Sequence, residues 1–324
     1  MTRCLASRSP RAEAGAPTVQ HLALVGPTAS GKSAVAVEVA QALGDIEIVS
    51  LDSMQVYRGL DIGTAKPDRR ARAGVPHHLI DVVDADADWS VARTQTDARA
   101  TVADIEARGR RALLVGGTGL YVQAVVDDFH LPGEDLALRA ELAARIEQPG
   151  GIAAAYQDLV TRDPVAATRI DPHNARRIVR ALEVIALTGA PFSSFGDGVA
   201  TYGTPSFPIA IAGLWLPRPV LARRIATRVE AMRQAGFTDE VRTVLATPGL
   251  SRTARQAIGY HELAETLEQG AEPDDATYDT ITRRTRSLAR RQRMWFRRDP
   301  RITWHATTDN PCRIVPTLLA TWTP

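Results

Sequence analysis

The chain has 324 residues, 44% of them hydrophobic, enough to bury the core of one large or two modest domains. Its 39 basic and 37 acidic residues give a formal net charge of +2, which excludes a uniformly basic nucleic-acid binder. Cys4 and Cys312 lie near opposite ends without metal-ligand spacing, so neither a zinc site nor a disulfide framework is expected, and a reducing compartment, the cytoplasm, fits best. No segment approaches the roughly 20 apolar residues of a membrane span, so no membrane partner is expected.

Residues 1–18, with Arg3, Arg8 and Arg11 among Ala, Ser and Pro, read as a disordered tail without a signal-peptide core. Leu22–Val25 is a short apolar run before a glycine-rich loop, and Ser33–Leu43 then reads as a helix ending at Gly44. Ile46–Val49 is a second strand ending near Asp52, Ser90–Arg108 a helix, and Ala112–Val115 a third strand before Gly116 and Gly117. Strands alternating with helices predict a parallel α/β sheet, whose ligands sit beyond the carboxyl ends of the strands. Gly26, Asp52 and Gly116–Gly117 all fall there.

From about Asp128 the texture becomes helical: Leu136–Glu147, Ile152–Thr161 and Ala175–Thr188 are bounded by Pro/Gly breaks. Ile209–Leu216 returns to strand, and Val220–Ala246 reads as one long helix, rich in Arg on its polar side. The predicted organisation is a P-loop α/β core over 19–127 and 205–310, a helical insertion over 128–204, and a tail over 311–324.

Gly26-Pro27-Thr28-Ala29-Ser30-Gly31-Lys32-Ser33 matches the P-loop pattern between a strand and a helix. Its glycines let backbone N–H groups turn toward an anion at a helix start, Lys32 adds a point charge, and the Ser33 hydroxyl is placed to reach a Mg²⁺. A nucleotide hydrolase would end a later strand in an Asp for the metal, whereas Gly116–Gly117 stands here. Asp52 is placed to face the loop as a general base, or else serves as a helix cap or turn former. His77–His78 reads as structural, because neighbouring strand residues point to opposite faces.

The loop, Asp52-Ser53-Met54-Gln55-Val56-Tyr57 with its continuation to Pro67, His77–Asp81 and Gly116–Tyr121 resemble the signature blocks of bacterial tRNA dimethylallyltransferases, the IPP transferase family. Asn174–Val184, Gln256–Leu263 and Arg290–Arg297 extend the resemblance, which spans roughly Leu22 to Arg298. It implies transfer of a dimethylallyl group from dimethylallyl diphosphate to N6 of the adenosine 3′ of a tRNA anticodon, position 37, with Mg²⁺ as cofactor. It also implies that Asp52 takes the amine proton beside Thr28, and that Arg224 or Arg228 grips the diphosphate. Those two arginines are equally compatible with solvated helix charges.

The resemblance places tRNA contacts at Asp52, Ser53, Met54, Gln55, Thr118, Arg139 and the block Arg176-Arg177-Ile178-Val179-Arg180, which could instead be a solvated helix face. Thr280–Arg298 has eight arginines and no acidic residue, with Trp295–Phe296 embedded either to stack bases or to pack in the core. The chain is expected to act as a monomer on tRNA. A P-loop kinase for a small metabolite or nucleoside, with ATP in the loop, is the competing reading. A tRNA-binding module that merely senses a nucleotide is another.

Overall fold

The computed structural model describes residues 20–195 and 201–323; the expected tail over 1–18 lies outside them. Six strands form one parallel sheet in the order β3-β2-β4-β1-β5-β6: β1 (His21–Val25), β2 (Ile46–Ser50), β3 (His77–His78), β4 (Arg111–Gly116), β5 (Ile209–Trp215) and β6 (Ile302–Ala306). β1, β2 and β4 are buried along their whole lengths, which explains why they read as apolar runs rather than as alternating patterns. From β1 the chain crosses to β2 on one side, and from β4 it later crosses to β5 on the other. This reversal opens a crevice at the carboxyl ends of β1 and β4, where the phosphate loop sits.

Helices α1 (Lys32–Leu43), α2 (Arg69–Arg72), α3 (Val91–Ala107) and α4 (Gly119–Asp127) belong to the core. The helical region comprises α5 (Leu136–Glu147), α6 (Gly151–Arg162) and α8 (Ala175–Thr188), with bounds close to those expected, and α7 (Pro164–Arg169), a short helix that the sequence reading missed and that Asp163 caps and Pro164 starts. It has its own apolar centre, in which Leu142, Leu159, Ile170, Ile178 and Leu182 are buried together.

Two expectations are corrected. The long helix over Val220–Ala246 is two helices, α9 (Arg218–Gln234) and α10 (Phe237–Ala246), because Gly236 takes the left-handed conformation at φ 91° and starts a new helix with Asp239 and Glu240 in its first turn. After α11 (Tyr260–Glu268) and α12 (Asp275–Phe296), the segment expected as a tail over 311–324 is instead folded: a 3₁₀ turn at Pro311–Ile314 leads into α13 (Val315–Trp322). Ile314, Leu318 and Trp322, spaced four apart, seal α1 and one face of the sheet, and Arg111 Nη1 donates to the Trp322 carbonyl at 2.9 Å. Trp322, 3% exposed, is expected to lower stability by about 3–5 kcal/mol when changed to Ala, as measured by urea unfolding. A tail residue would leave the midpoint where it was.

Candidate active site

A cleft of about 290 Å³ lies over the carboxyl ends of β1, β2 and β4. Thr28, Ala29, Gly31, Lys32 and Ser33 of the loop line it, together with Asp52, Arg224 and Arg228. The three segments expected to converge therefore do so. Gly26, Pro27 and Ser30 shape the loop from outside: Ser30 is fully buried, Gly26 lies against Leu214, and the Pro27 carbonyl accepts from Lys32 Nζ at 2.8 Å. Among the described residues the Ala29 and Gly31 N–H groups find no acceptor, which leaves them for an anion.

Lys32 is recessed, and desolvation lowers its ammonium from the usual range to about 8, against the opposing pull of Asp52; Arg228 lowers it further. Burial also lowers Arg228, again opposed by Asp52. Arg228 comes from α9, donates to Thr28 Oγ1 at 3.3 Å and to the Thr64 carbonyl at 3.2 Å, and so pins two sides of the cleft. Arg224, one turn earlier, donates to the Asp309 carbonyl at 3.1 Å, in the segment whose Pro311 packs against Gly31. Neither arginine is a free helix charge. Lys32, Arg224 and Arg228 thus line the cleft with the single carboxylate of Asp52, a balance of charge that favours an anion.

Asp52 is a turn former, one of the two readings that the sequence left open. Its Oδ1 accepts from the backbone N–H of Met54 at 2.9 Å and of Gln55 at 3.3 Å, an Asx turn that fixes the carboxylate beyond β2. Its Oδ2 has no hydrogen-bond partner among the described residues. The loop that follows is anchored by Glu240, which accepts from the N–H groups of Asp61, Ile62 and Gly63 and from the Tyr260 hydroxyl. Ser33 reaches the cleft at the start of α1, while no group of three or more His, Cys, Asp or Glu among the described residues could hold a metal by itself. Any metal would have to take most of its ligands from a bound phosphate and water.

The expected RNA contacts divide. Arg176 and Arg177 are exposed, and Thr118, at the start of α4, has a side chain that caps nothing. Ser53 and Met54 are partly exposed beside the cleft. Gln55 is 9% exposed and acts as a strut, accepting from Ser50 Oγ and donating to the Thr64 carbonyl. Ile178 and Val179 are buried in the insertion's apolar centre, so their side chains cannot touch RNA. Arg139 and Arg180 both pair with Glu183, a fully buried carboxylate; Arg180 also donates to the carbonyls of Pro132 and Gly133. Burial would raise the Glu183 carboxyl, but Arg139, the Asp135 N–H and Arg180 outweigh it and hold it low. These two arginines hold the base of the insertion together.

The stripe on α12 behaves differently. Arg283, Arg286, Arg290 and Arg291 are exposed and form no ion pair among the described residues, whereas Arg284 pairs with Glu262. Phe296 is buried against the sheet, as the packing reading expected, and Trp295 is half-buried against the same cluster with the Arg298 guanidinium 4.7 Å from its ring centre. His77 and His78 are structural in part: His78 Nε2 pairs with Glu47, and His77 Nδ1 lies 2.8 Å from the Val75 carbonyl while its ring lines the cleft.

A cleft residue that sequence reasoning missed is Gln292 of α12, whose Oε1 accepts from the Thr28 N–H at 2.8 Å. Its only signal in the sequence was its place between arginines in the final block.

The sequence model of the family described as IPP transferase matches residues 55–299, and that described as isopentenyl transferase matches residues 19–77. A protein of Salinispora tropica named tRNA dimethylallyltransferase is 50% identical over 301 residues, covering 90% of this chain and 92% of the relative. A Bifidobacterium longum protein of the same name is 45% identical over 291 residues, covering 89% and 86%. Among solved structures, the full-length tRNA isopentenylpyrophosphate transferase of Bacillus halodurans superposes with a TM-score of 0.67 at 38% identity, over 93% of this chain and 96% of that one. A eukaryotic dimethylallyltransferase acting on tRNA gives 0.72 at 26% identity, over 90% and 74%. With its P-loop-type sheet, the convergence of Asp52 on the phosphate loop and these matches over most of its length, the chain belongs to the IPP transferase family.

Proposed function

We propose that this chain transfers a dimethylallyl group from dimethylallyl diphosphate to N6 of the adenosine 3′ of the anticodon in tRNA. The observation that carries the reading is the cleft itself: a phosphate loop with three flanking cations on one side and a single fixed carboxylate, Asp52, with a free oxygen, on the other. In the reaction the donor's C–O bond breaks and its electron pair leaves with the diphosphate. The Ala29 and Gly31 N–H groups, Lys32, Arg224 and Arg228 take up the developing charge. The allyl carbon bonds to N6, and Asp52 Oδ2 accepts the N6 proton. A Mg²⁺ held by the Ser33 hydroxyl and the donor's phosphate oxygens would supply further charge neutralisation.

The kinase reading has less support. Where a nucleotide-using enzyme would carry a metal-binding carboxylate after β4, this chain has Gly116–Gly117, with the Gln292 amide lying against Gly117. Incubation with ATP and Mg²⁺ is expected to release no ADP or phosphate, while dimethylallyl diphosphate labelled in the prenyl group transfers its label to unmodified tRNA. ATP turnover without label transfer would reverse the assignment.

We assign the RNA-facing surface to α12, with Arg176 and Arg177 of the insertion, rather than to Arg139 and Arg180. The target base must leave its stack to reach the cleft, and exposed guanidinium groups near a half-buried Trp suit an unpaired loop. Changing Arg290 and Arg291 together to Ala is expected to lower the slope of log affinity against log salt by about 1.4, roughly 0.7 for each lost phosphate contact. Arg180→Ala is expected to leave that slope nearly unchanged while lowering stability. Filter binding across a salt series, with urea unfolding alongside, checks both.

A further inference from the structure

Thr28 is held at both ends by different helices. Its backbone N–H donates to Gln292 of α12 and its hydroxyl accepts from Arg228 of α9. Because Gln292 Oε1 is committed to this bond, the amide orientation is fixed and its Nε2 lies over Gly117, where a Cβ would stand only 2.8 Å away. Glycine at 117 is thus the condition for the amide to enter the cleft.

The helix carrying Gln292 is keyed to the sheet at two further points. Trp295 packs against Gly119 just beyond β4, and Arg293 donates to the Leu216 carbonyl beyond β5 at 3.1 Å with its guanidinium 3.8 Å from the Trp215 ring centre. On the outer side of the same helix stand Arg286, Arg290, Arg291 and Met294, the last 63% exposed. A displacement of α12 therefore acts directly on the phosphate loop through one buried-side hydrogen bond.

We propose that Gln292 is a positioning residue that ties the RNA-facing helix to the donor loop, so that occupancy of one substrate site alters affinity at the other. This rests on the assignment of α12 as an RNA surface. The coupling is reciprocal, because a change in one binding free energy caused by the second ligand must appear equally in the other.

The test measures the affinity of the full-length protein for inorganic diphosphate with Mg²⁺, with and without a saturating unmodified anticodon stem-loop RNA. In the unsubstituted protein, RNA is expected to tighten diphosphate binding about fivefold or more. Gln292→Met has a similar length and no oxygen to accept the Thr28 N–H, only a weakly accepting sulfur; the RNA effect is expected to fall below about twofold, with RNA affinity itself kept within about twofold. Gln292→Glu keeps an acceptor and adds a negative charge, so it is expected to retain the RNA effect while weakening diphosphate binding about tenfold in both states.

A ratio of one in the unsubstituted protein, an undiminished ratio in Gln292→Met, or a ratio lost equally in Gln292→Glu would each overturn the proposal. If Gln292→Met fails to fold, the unsubstituted protein and Gln292→Glu still decide it. Failure of the unsubstituted protein to bind RNA at all would instead overturn the functional reading and the coupling with it, a result distinguishable from a ratio of one.

Discussion

Asp52→Asn is expected to lower turnover by about 10²-fold or more while leaving RNA affinity within a few-fold. Asn is the informative replacement because Asp52 does two jobs. Its Oδ1 closes the turn with Met54 and Gln55, and an amide oxygen can still accept those bonds. In the proposed reaction its Oδ2 takes the proton, and the amide nitrogen placed there cannot accept. Asp52→Ala removes both functions, so a larger loss than in Asp52→Asn measures the turn's contribution to placing the base. Single-turnover rates with saturating RNA and donor read the chemical step directly; an unchanged rate in Asp52→Asn would remove the base role.

Lys32→Met is expected to lower kcat/KM for the diphosphate donor by about 10²- to 10³-fold, the range for loss of one preorganised charge-stabilising group. The pH dependence separates this effect from a merely structural one. Burial lowers the Lys32 ammonium to about 8, so the charged form dominates below that value and is lost as pH rises through it. Inorganic diphosphate affinity should therefore fall as pH rises through about 8, then level off once the bound state also deprotonates. In Lys32→Met this component disappears, and only the titration of the ligand itself remains. Parallel profiles for the two proteins would show that Lys32 does not titrate in this range.

The sequence carried the chemistry further than it carried the packing. The phosphate loop was legible because its spacing, a strand before it and a helix after it are all local, and Asp52 was legible because it directly ends the next apolar run. Gln292 was not, since its partner Thr28 lies 264 residues away and only the fold brings them together. The pairing of Arg139 and Arg180 was hidden for a different reason. Both pair with Glu183, which stands three residues beyond Arg180 on the same helix amid apolar neighbours, so an acid on the buried face was visible, although its burial was not. A run of arginines does not by itself show which of them a buried carboxylate engages.

The C-terminal segment shows the same limit. Ile314, Leu318 and Trp322 have helical spacing, yet a run this short signals a packed helix only when a surface awaits it, here α1 and the sheet. The break at Gly236 was readable, with glycine followed three residues later by Asp239 and Glu240, a helix start inside a pattern otherwise continuous.

The central claim is that the loop grips a departing diphosphate while Asp52 deprotonates an adenosine amine. The most direct test incubates the protein with Mg²⁺, dimethylallyl diphosphate and unmodified tRNA, then measures released diphosphate and the masses of the nucleosides. The expected result is an adenosine 3′ of the anticodon heavier by one prenyl unit, with one diphosphate released for each. Diphosphate release without a modified adenosine, or no modified nucleoside at all, would contradict it.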